Sequence, residues 1–107
     1  MNPPEIDPRD ALALLEQGEA LFVDIRDPAS HASARIRDAR PLSQANVEDF
    51  LASTDRSRTL VVYCYHGRSS LDATAFLQSE GFEGAISLSG GFEHWRQVYP
   101  DTCVNNP

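Results

Sequence analysis

The stretch LVVYCYHGRSS, residues 60–70, decides the fold of this chain. Its first residues are β-branched or bulky and apolar, which predicts a buried strand over Thr59–Tyr63. A helical pattern begins near Ser70, so Cys64 stands at the carboxyl end of a strand, in a short loop that leads into a helix. Backbone N–H groups and the positive end of the helix dipole point into such a loop. The sequence therefore predicts an anion-binding loop that contains a cysteine.

A cysteine in this position is expected to be reactive. The loop amides and the helix dipole favour the thiolate, which is the form of cysteine that attacks sulfur or phosphorus. Gly67 allows the chain to turn tightly and to bring its amides close to the sulfur. We therefore interpret Cys64 as a nucleophile and not as a packing residue.

Two chemistries fit such a loop, attack on sulfur and attack on phosphorus. Tyrosine and dual-specificity phosphatases carry Arg six residues after the cysteine, where this chain has Ser70. They also need a general acid, because the alkoxide of a phosphoester is a poor leaving group. Transfer of sulfur from thiosulfate needs neither, since sulfite leaves without a proton. The sequence offers no convincing acid–base pair, and this favours sulfur.

Length and composition predict one small domain. The chain has 107 residues, of which 41% are hydrophobic and 23% charged, as in soluble globular proteins. We predict a single domain over residues 1–107, with loose termini at residues 1–4 and 101–107. No apolar run approaches the roughly 20 residues of a membrane span, and no secretory signal is present, so we expect a cytoplasmic protein without a membrane partner. The net charge of −7 argues against a nucleic-acid partner.

Short β-rich runs alternate with amphipathic segments, which predicts an α/β domain with a mainly parallel sheet. Asp7 as N-cap and Pro8 at the first helical position begin a helix that Gly18 ends. Further strands are predicted over residues 21–25 and 85–88, a short helix around residues 47–51, and an irregular stretch up to residue 42. A closing helix is expected to place its aromatic residues in the core; these are Phe92, Trp95 and Tyr99.

The helix after the loop has a start signal of its own. Ser69 and Asp72 have the form of a capping box, so Ser69 is predicted as the N-cap. Ala73, Phe76 and Leu77 are predicted to form the inner face of this helix.

Two features remain open at this level. All nine basic residues are Arg, and a group of them either faces solvent or draws anions to the pocket; its members are Arg26, Arg35, Arg37 and Arg40. Cys103 lies in the C-terminal tail as an incidental surface thiol or as a resolving thiol. A disulfide between Cys64 and Cys103 is not expected in a reducing compartment.

Three motifs in order resemble those of the rhodanese sulfurtransferases, and the match is close to the single-domain GlpE type. Residues 23–28 (VDIRDP) are similar to the first family signature, in which an Asp and an Arg close a central strand. Residues 64–70 are similar to the active loop, and residues 90–95 (GGFEHW) to a Gly-Gly-Phe-x-x-Trp segment. The chain departs from the family at residues 34–39, where Gly-His-x-x-x-Ala appears as ARIRDA, and at Ser69, where many members carry Arg.

The resemblance implies a parallel sheet with helices on both faces and a thiosulfate sulfurtransferase that works through a persulfide on Cys64. It implies an acceptor such as cyanide, a small thiol or a thioredoxin-like protein, and no cofactor. Two alternatives remain open, a persulfide carrier that delivers sulfur to a protein partner and a Cys-dependent phosphatase or arsenate reductase. Turnover on thiosulfate, compared with transfer from a persulfidated donor protein, separates the carrier from the enzyme.

The candidate site follows from the same motifs. We predict Cys64 as the catalytic residue, and as substrate-binding residues we predict Tyr65, His66, Gly67, Arg68, Ser69 and Ser70. Asp24 and Arg26 are interpreted as an ion pair at the end of the sheet, near the site. No metal site is expected, because His31 and His94 lack partner spacing and Cys64 with His66 supplies too few ligands for zinc.

Overall fold

A parallel sheet with the Cys64 strand at its centre organises the fold. The computed structural model describes residues 3–105. The elements, in chain order, are β1 (Glu5–Ile6), α1 (Pro8–Gln17), β2 (Leu21–Asp24), α2 (Pro28–Ser33), β3 (Ala34–Ile36), β4 (Arg40–Pro41), α3 (Val47–Ser53), β5 (Leu60–Tyr63), α4 (Ser69–Ser79), β6 (Ala85–Leu88), α5 (Gly91–Val98) and, after a 3-10 turn at Pro100–Thr102, β7 (Cys103–Asn105).

The main sheet has the strand order β1-β6-β5-β2-β4, and every neighbouring pair is parallel. The register sets Val23 of β2 beside Val62 of β5. Strands β3 and β7 form a separate antiparallel pair. The predicted α/β fold with a mainly parallel sheet is confirmed, and Cys64 follows the central strand at the edge where ligands bind in open α/β sheets.

Helices cover both faces of the sheet, as the resemblance implied. Successive side chains of a strand point to opposite faces, so Phe22 and Val23 of β2 enter different core clusters. Phe22 packs with α1 and α5 residues that include Ala11 and Trp95. Val23 packs with Phe50 of α3 and with residues of α4. All of β5 is buried, which explains its continuous apolar sequence.

Helix α1 begins and ends as predicted. The Asp7 carboxylate accepts a hydrogen bond from the Asp10 amide at 3.0 Å, with Pro8 at the first helical position. Gly18 ends the helix in a left-handed conformation, with φ 67°. Among residues 3–105, no helix combines the length and the apolar character that crossing a membrane requires.

The predicted capping box of α4 is wrong. The helix begins at Ser69 itself, after Arg68 in a helical conformation, and no side chain caps it. The Ser70 amide donates instead to the Cys64 sulfur at 3.3 Å. The Cys64 sulfur thus accepts from one of the first-turn N–H groups that have no partner inside the helix.

The predicted inner face of α4 is wrong at Phe76, whose exposed fraction is 44%. The buried residues of this helix are Ser70, Thr74 and Leu77, which follow one another at helical spacing. Because Ser70 must meet the Cys64 sulfur, the helix is rotated so that Phe76 faces outward.

The termini are better ordered than the composition predicted. The Pro4 carbonyl accepts a hydrogen bond from Ser87 at 2.9 Å. Thr102 is buried and accepts a hydrogen bond from the Trp95 indole at 2.7 Å, and residues 103–105 pair with residues 34–36. The expectation of a loose tail is therefore wrong for residues 101–105; residues 1, 2, 106 and 107 lie outside the described residues.

The stretch up to residue 42, predicted as irregular, contains α2, β3 and β4. The turn after β3 closes through a hydrogen bond from the Ala39 amide to the Ile36 carbonyl at 3.1 Å. Asp38 adopts a left-handed conformation there, with φ 64°. Asp tolerates this conformation better than most side chains, so the turn forms without the Gly and His of the family motif.

Candidate active site

The Cys64 sulfur is held by hydrogen-bond donors from its own loop. The amide of Gly67 donates to Sγ at 3.1 Å, and the amide of Ser70 donates at 3.3 Å. The sulfur and the Ser70 hydroxyl are 3.4 Å apart. Gly67 is buried with φ 85°, a conformation that aims its N–H inward and that other residues rarely adopt. The loop therefore directs its hydrogen-bond donors at the sulfur, which is the geometry that an anion-binding loop requires.

These donors govern the ionisation of the thiol. Burial of Cys64 disfavours the charged form, but hydrogen bonds from the Ser70 hydroxyl and from the amides of Ser70, Gly67 and His66 outweigh it, so the pKa of Cys64 is lowered. The side chain is buried, with 7% of the residue exposed. The site thus favours a thiolate, the nucleophilic form.

The N-terminus of helix α5 supports the loop from behind. The amide of Phe92 donates to the Cys64 carbonyl at 2.8 Å, and the amide of Glu93 donates to the Tyr65 carbonyl at 2.9 Å. A Cβ atom on Gly91 would lie 2.4 Å from the Tyr65 oxygen, and Gly91 has φ 64°. The Gly-Gly-Phe motif is therefore needed for close approach, and it leaves the loop amides free to face the sulfur.

Ser70 is connected to the sheet by a contact that the sequence did not predict. Its hydroxyl lies 2.8 Å from the hydroxyl of Ser87 on β6, and both residues are fully buried. Ser87 therefore fixes the rotamer of the hydroxyl that contacts Cys64. A polar residue in an otherwise apolar strand was the available signal for Ser87.

Asp24 and Arg26 form the predicted ion pair. The guanidinium meets the carboxylate through two hydrogen bonds of 2.9 and 2.7 Å, and Asp24 also accepts from the Arg26 amide. His31 lies 2.9 Å from the same carboxylate, and the Tyr63 hydroxyl donates to it at 3.2 Å. Burial raises the pKa of Asp24, but the bonds from Arg26 and His31 outweigh this, and the pKa is lowered.

Arg26 reaches from this pair into the wall of the site. Its guanidinium carbon lies 4.2 Å from the ring centre of Phe92 and 4.8 Å from that of Tyr65, within the range of cation–π attraction. It also donates to the Ala34 carbonyl at 2.5 Å. The Asp24–Arg26 pair therefore braces the end of the sheet and borders the cavity at the same time.

A cavity of about 340 Å³ opens above the loop. Its lining residues are Ile25, Arg26, Asp27, Cys64, Tyr65, His66, Arg68 and Ser69. Of the predicted site residues, Gly67 and Ser70 lie beneath the cavity against the sulfur, and Asp24 lies behind Arg26. The predicted residues are thus brought together at one edge of the sheet.

The exposed side chains of the loop differ in how firmly they are held. The Tyr65 hydroxyl donates to Ser30 at 2.8 Å, which fixes the ring at the cavity rim. The Arg68 guanidinium has no hydrogen bond or ion pair within residues 3–105. It is therefore available to an anion in the cavity.

Sequence reasoning missed Asp27 and Ile25 as lining residues. Asp27 caps α2, accepting hydrogen bonds from the hydroxyl of Ser30 at 2.7 Å and from its amide at 3.1 Å. These bonds outweigh the small effect of burial and lower the pKa of Asp27, so this carboxyl is ionised at neutral pH and is a poor proton donor. The spacing Asp-Pro-x-Ser was the signal for the cap.

The sequence left undecided whether the arginine group faces solvent or the pocket, and in the structure these residues do not form one patch at the Cys64 cavity. Arg26 lines it, whereas Arg37 and Arg40 line other cavities beside Leu21, at the amino end of β2. Arg35 donates to the His31 carbonyl at 3.2 Å. Within residues 3–105, no three of the His, Cys, Asp and Glu side chains are grouped as a metal site requires.

The comparisons with known proteins agree with this geometry. The model of the rhodanese-like domain matches residues 7–98. The chain is 48% identical over 103 residues to the thiosulfate sulfurtransferase GlpE of Pseudomonas fluorescens strain Pf-5, covering 95% of this chain and 94% of the relative. It is also 48% identical over 95 residues to GlpE of Pseudomonas aeruginosa strain LESB58, covering 89% and 86%.

The fold is shared with a solved structure of the human single-domain sulfurtransferase TSTD1, with a TM-score of 0.80 and 23% identity, over 88% of this chain and 96% of that one. The family match spans most of the chain. Two of the three sequence motifs line the Cys64 cavity, and the third supports the Cys64 loop from behind. The chain therefore belongs to the rhodanese family.

Proposed function

We propose that this chain is a thiosulfate sulfurtransferase that carries sulfane sulfur as a persulfide on Cys64. The observation that supports this most is the set of loop donors on the Cys64 sulfur, with two amides at 3.1 and 3.3 Å and a hydroxyl at 3.4 Å. Donors in these positions stabilise negative charge on sulfur in either of its two states, thiolate or persulfide. The GlpE relatives, named for this activity, support the same substrate.

The first step loads the enzyme. The Cys64 thiolate attacks the outer sulfur of thiosulfate, a bond forms between Sγ and that sulfur, and the bond to the sulfonate sulfur breaks with its electron pair leaving on sulfite. Arg68 and Ser69 line the cavity where the sulfonate oxygens would lie, and a guanidinium suits such oxygens. No proton is transferred in this step, which agrees with a cavity whose carboxyl, Asp27, is ionised.

The second step transfers the sulfur from Cys64 to an acceptor. A thiophilic acceptor, which is cyanide, a small thiol or a thioredoxin-like protein, attacks the outer sulfur of the persulfide, and the Cys64 thiolate leaves. The lowered pKa of Cys64 favours this departure as well. We place the reaction in the cytoplasm, where thiols stay reduced, because a disulfide would block Cys64.

The proposal is tested by incubating the protein with thiosulfate alone. We expect its intact mass to rise by one sulfur atom, with release of one equivalent of sulfite, and cyanide to remove the added sulfur as thiocyanate. A protein that gains no sulfur and releases no sulfite would contradict the proposal.

Phosphatase chemistry is the alternative to test beside it. Ser70, at the position of the phosphatase Arg, is buried between Cys64 and Ser87 and offers a neutral hydroxyl only. We expect negligible turnover on an aryl phosphate with a good leaving group, a substrate that reduces the need for a general acid. Phosphate release as fast as sulfite release would overturn the assignment to sulfur.

A further inference from the structure

An apolar groove lies beside the Cys64 cavity, along helix α4. It has a volume of about 460 Å³ and is lined mainly by apolar side chains; these are Ile25, Leu42, Val47, Ala73 and Phe76. Ile25 also lines the Cys64 cavity. The two spaces therefore share a wall, at the carboxyl ends of the strands.

One face of α4 runs through both spaces. Ser69 lines the Cys64 cavity, and Ala73 and Phe76 line the groove. These residues follow one another at intervals of four and three, so they lie along one side of the helix. At 1.5 Å per residue, the far end of the groove lies roughly 10 Å along the helix from the Ser69 position.

The outward position of Phe76 leaves apolar surface exposed at the wall of the groove. Among residues 3–105, the exposed large hydrophobic residues are Tyr65, Phe76 and Val98, and two of them, Tyr65 and Phe76, border these two spaces. A mainly apolar concave site beside a reactive cysteine is a candidate site for a small ligand. The groove volume of about 460 Å³ lies within the range of small-molecule sites, which is roughly 300–1,000 Å³.

Resting on the proposed function, we infer that the groove binds the apolar chain of a small thiol acceptor. The acceptor's thiolate attacks the outer sulfur of the Cys64 persulfide, a new S–S bond forms on the acceptor, and the bond between Sγ and the outer sulfur breaks. The products are an alkyl persulfide and the Cys64 thiolate, so sulfur, charge and electrons balance without a further oxidant or reductant. Phe76 is the specificity residue, because it forms the outer wall that contacts the chain.

The test uses ω-hydroxyalkanethiols from two to eight carbons as acceptors, whose thiols differ little in chemistry. Each protein is first loaded with thiosulfate, and sulfite release is measured on its own. We then expect kcat/KM for the thiol to rise roughly two- to fourfold with each added methylene, as burial of apolar surface predicts, and to level off at a chain length of roughly 10 Å.

Variants at Phe76 and Val98 test whether the dependence of kcat/KM on chain length arises in the groove. Phe76→Ser should flatten the dependence on chain length, Phe76→Leu should retain most of it, and Val98→Ser should leave it unchanged. Val98 is the matched control, since its exposed fraction of 45% equals that of Phe76 within a percent and it lines a different cavity.

The outcomes are distinguishable. If the protein releases no sulfite, the proposed function fails. If it releases sulfite but transfers sulfur equally well to short and long thiols, the groove does not bind the acceptor chain and the inference fails. If kcat/KM still depends on chain length in Phe76→Ser, the inference about the groove fails as well.

Discussion

Cys64 and Cys103 are the same residue type in two settings, and the pKa values of their thiols are shifted in opposite directions. Both are partly or fully withdrawn from solvent and both are free thiols. The pKa of Cys64 is lowered although burial opposes this, because amides and a hydroxyl donate to its sulfur. The pKa of Cys103 is raised by burial, which the Thr102 side chain and the more distant charges of Arg26 and Arg96 do not outweigh.

The difference shows that direct donors matter more than nearby charge. Two arginines favour the Cys103 thiolate from a distance, but the Thr102 side chain is the one direct donor among the causes of its pKa shift, and the Cys103 thiol donates to the Tyr99 carbonyl at 3.9 Å. A carbonyl accepts and cannot stabilise a thiolate. The Cys64 sulfur faces the first turn of α4, where unpaired N–H groups are available, whereas Cys103 begins a strand that pairs with β3.

Exchanging each thiol for a hydroxyl should give the largest contrast between them. Cys64→Ser should abolish sulfur transfer, because a serine hydroxyl in this loop stays protonated and cannot carry sulfane sulfur. Cys103→Ser should leave turnover and persulfide formation unchanged. Intact mass after thiosulfate treatment measures both. An adduct that persists in Cys64→Ser, or a large loss in Cys103→Ser, would reverse the roles assigned here and revive the resolving thiol.

A substitution at Gly91 tests the contact between the N-terminus of α5 and the Cys64 loop. A Cβ there would meet the Tyr65 oxygen at 2.4 Å, so Gly91→Ala should destabilise the protein by about 3 kcal/mol through forced overpacking and an unfavourable φ. Gly18→Ala is the matched control, since Gly18 has a similar φ of 67° and no atom within 4 Å of its Cβ position; about 1 kcal/mol is expected there. Thermal or denaturant unfolding measures both free energies. If both variants lose the same unfolding free energy, the close contact of Gly91 with the Cys64 loop contributes nothing to stability.

The charge at the mouth of the Cys64 cavity is tested at Arg68. Arg68→Ala should weaken the use of thiosulfate roughly ten- to hundredfold, mainly through KM, because a charge-assisted hydrogen bond contributes about 1.5–3 kcal/mol. Arg40→Ala removes the same charge beside another cavity and should have little effect. Steady-state kinetics decides this, and an unchanged KM in Arg68→Ala would show that the loop amides hold the anion unaided.

The smallest effect is expected when the Ser70 hydroxyl beside Cys64 is removed. Ser70→Ala removes a donor that favours the thiolate, so the pKa of Cys64 should rise and its alkylation profile should move to higher pH. At pH 7 the alkylation rate should fall roughly three- to tenfold. Alkylation of Cys103 supplies the internal control and should not shift. A profile for Cys64 that stays in place would assign its low pKa to the amides alone.

The sequence by itself predicted the features that depend on local pattern. The Asp7 cap, the Gly18 stop, the buried strand before Cys64 and the reactive loop all follow from neighbouring residues, because caps, turns and strand periodicity are local properties. The three motifs were sufficient for the family. Their order along the chain indicated a single site, since parallel strands end at the same edge of a sheet.

Only the tertiary structure decided how these parts meet. Ser87 contacts Ser70 across 17 positions of sequence, and β7 pairs with β3 about 70 positions earlier; no local pattern specifies either contact. The rotation of α4, which buries Ser70 and exposes Phe76, is set by the position of the Cys64 sulfur beside the helix. The helical pattern of apolar residues had predicted a buried Phe76. That prediction failed because the first turn of α4 is positioned by its contact with the Cys64 sulfur.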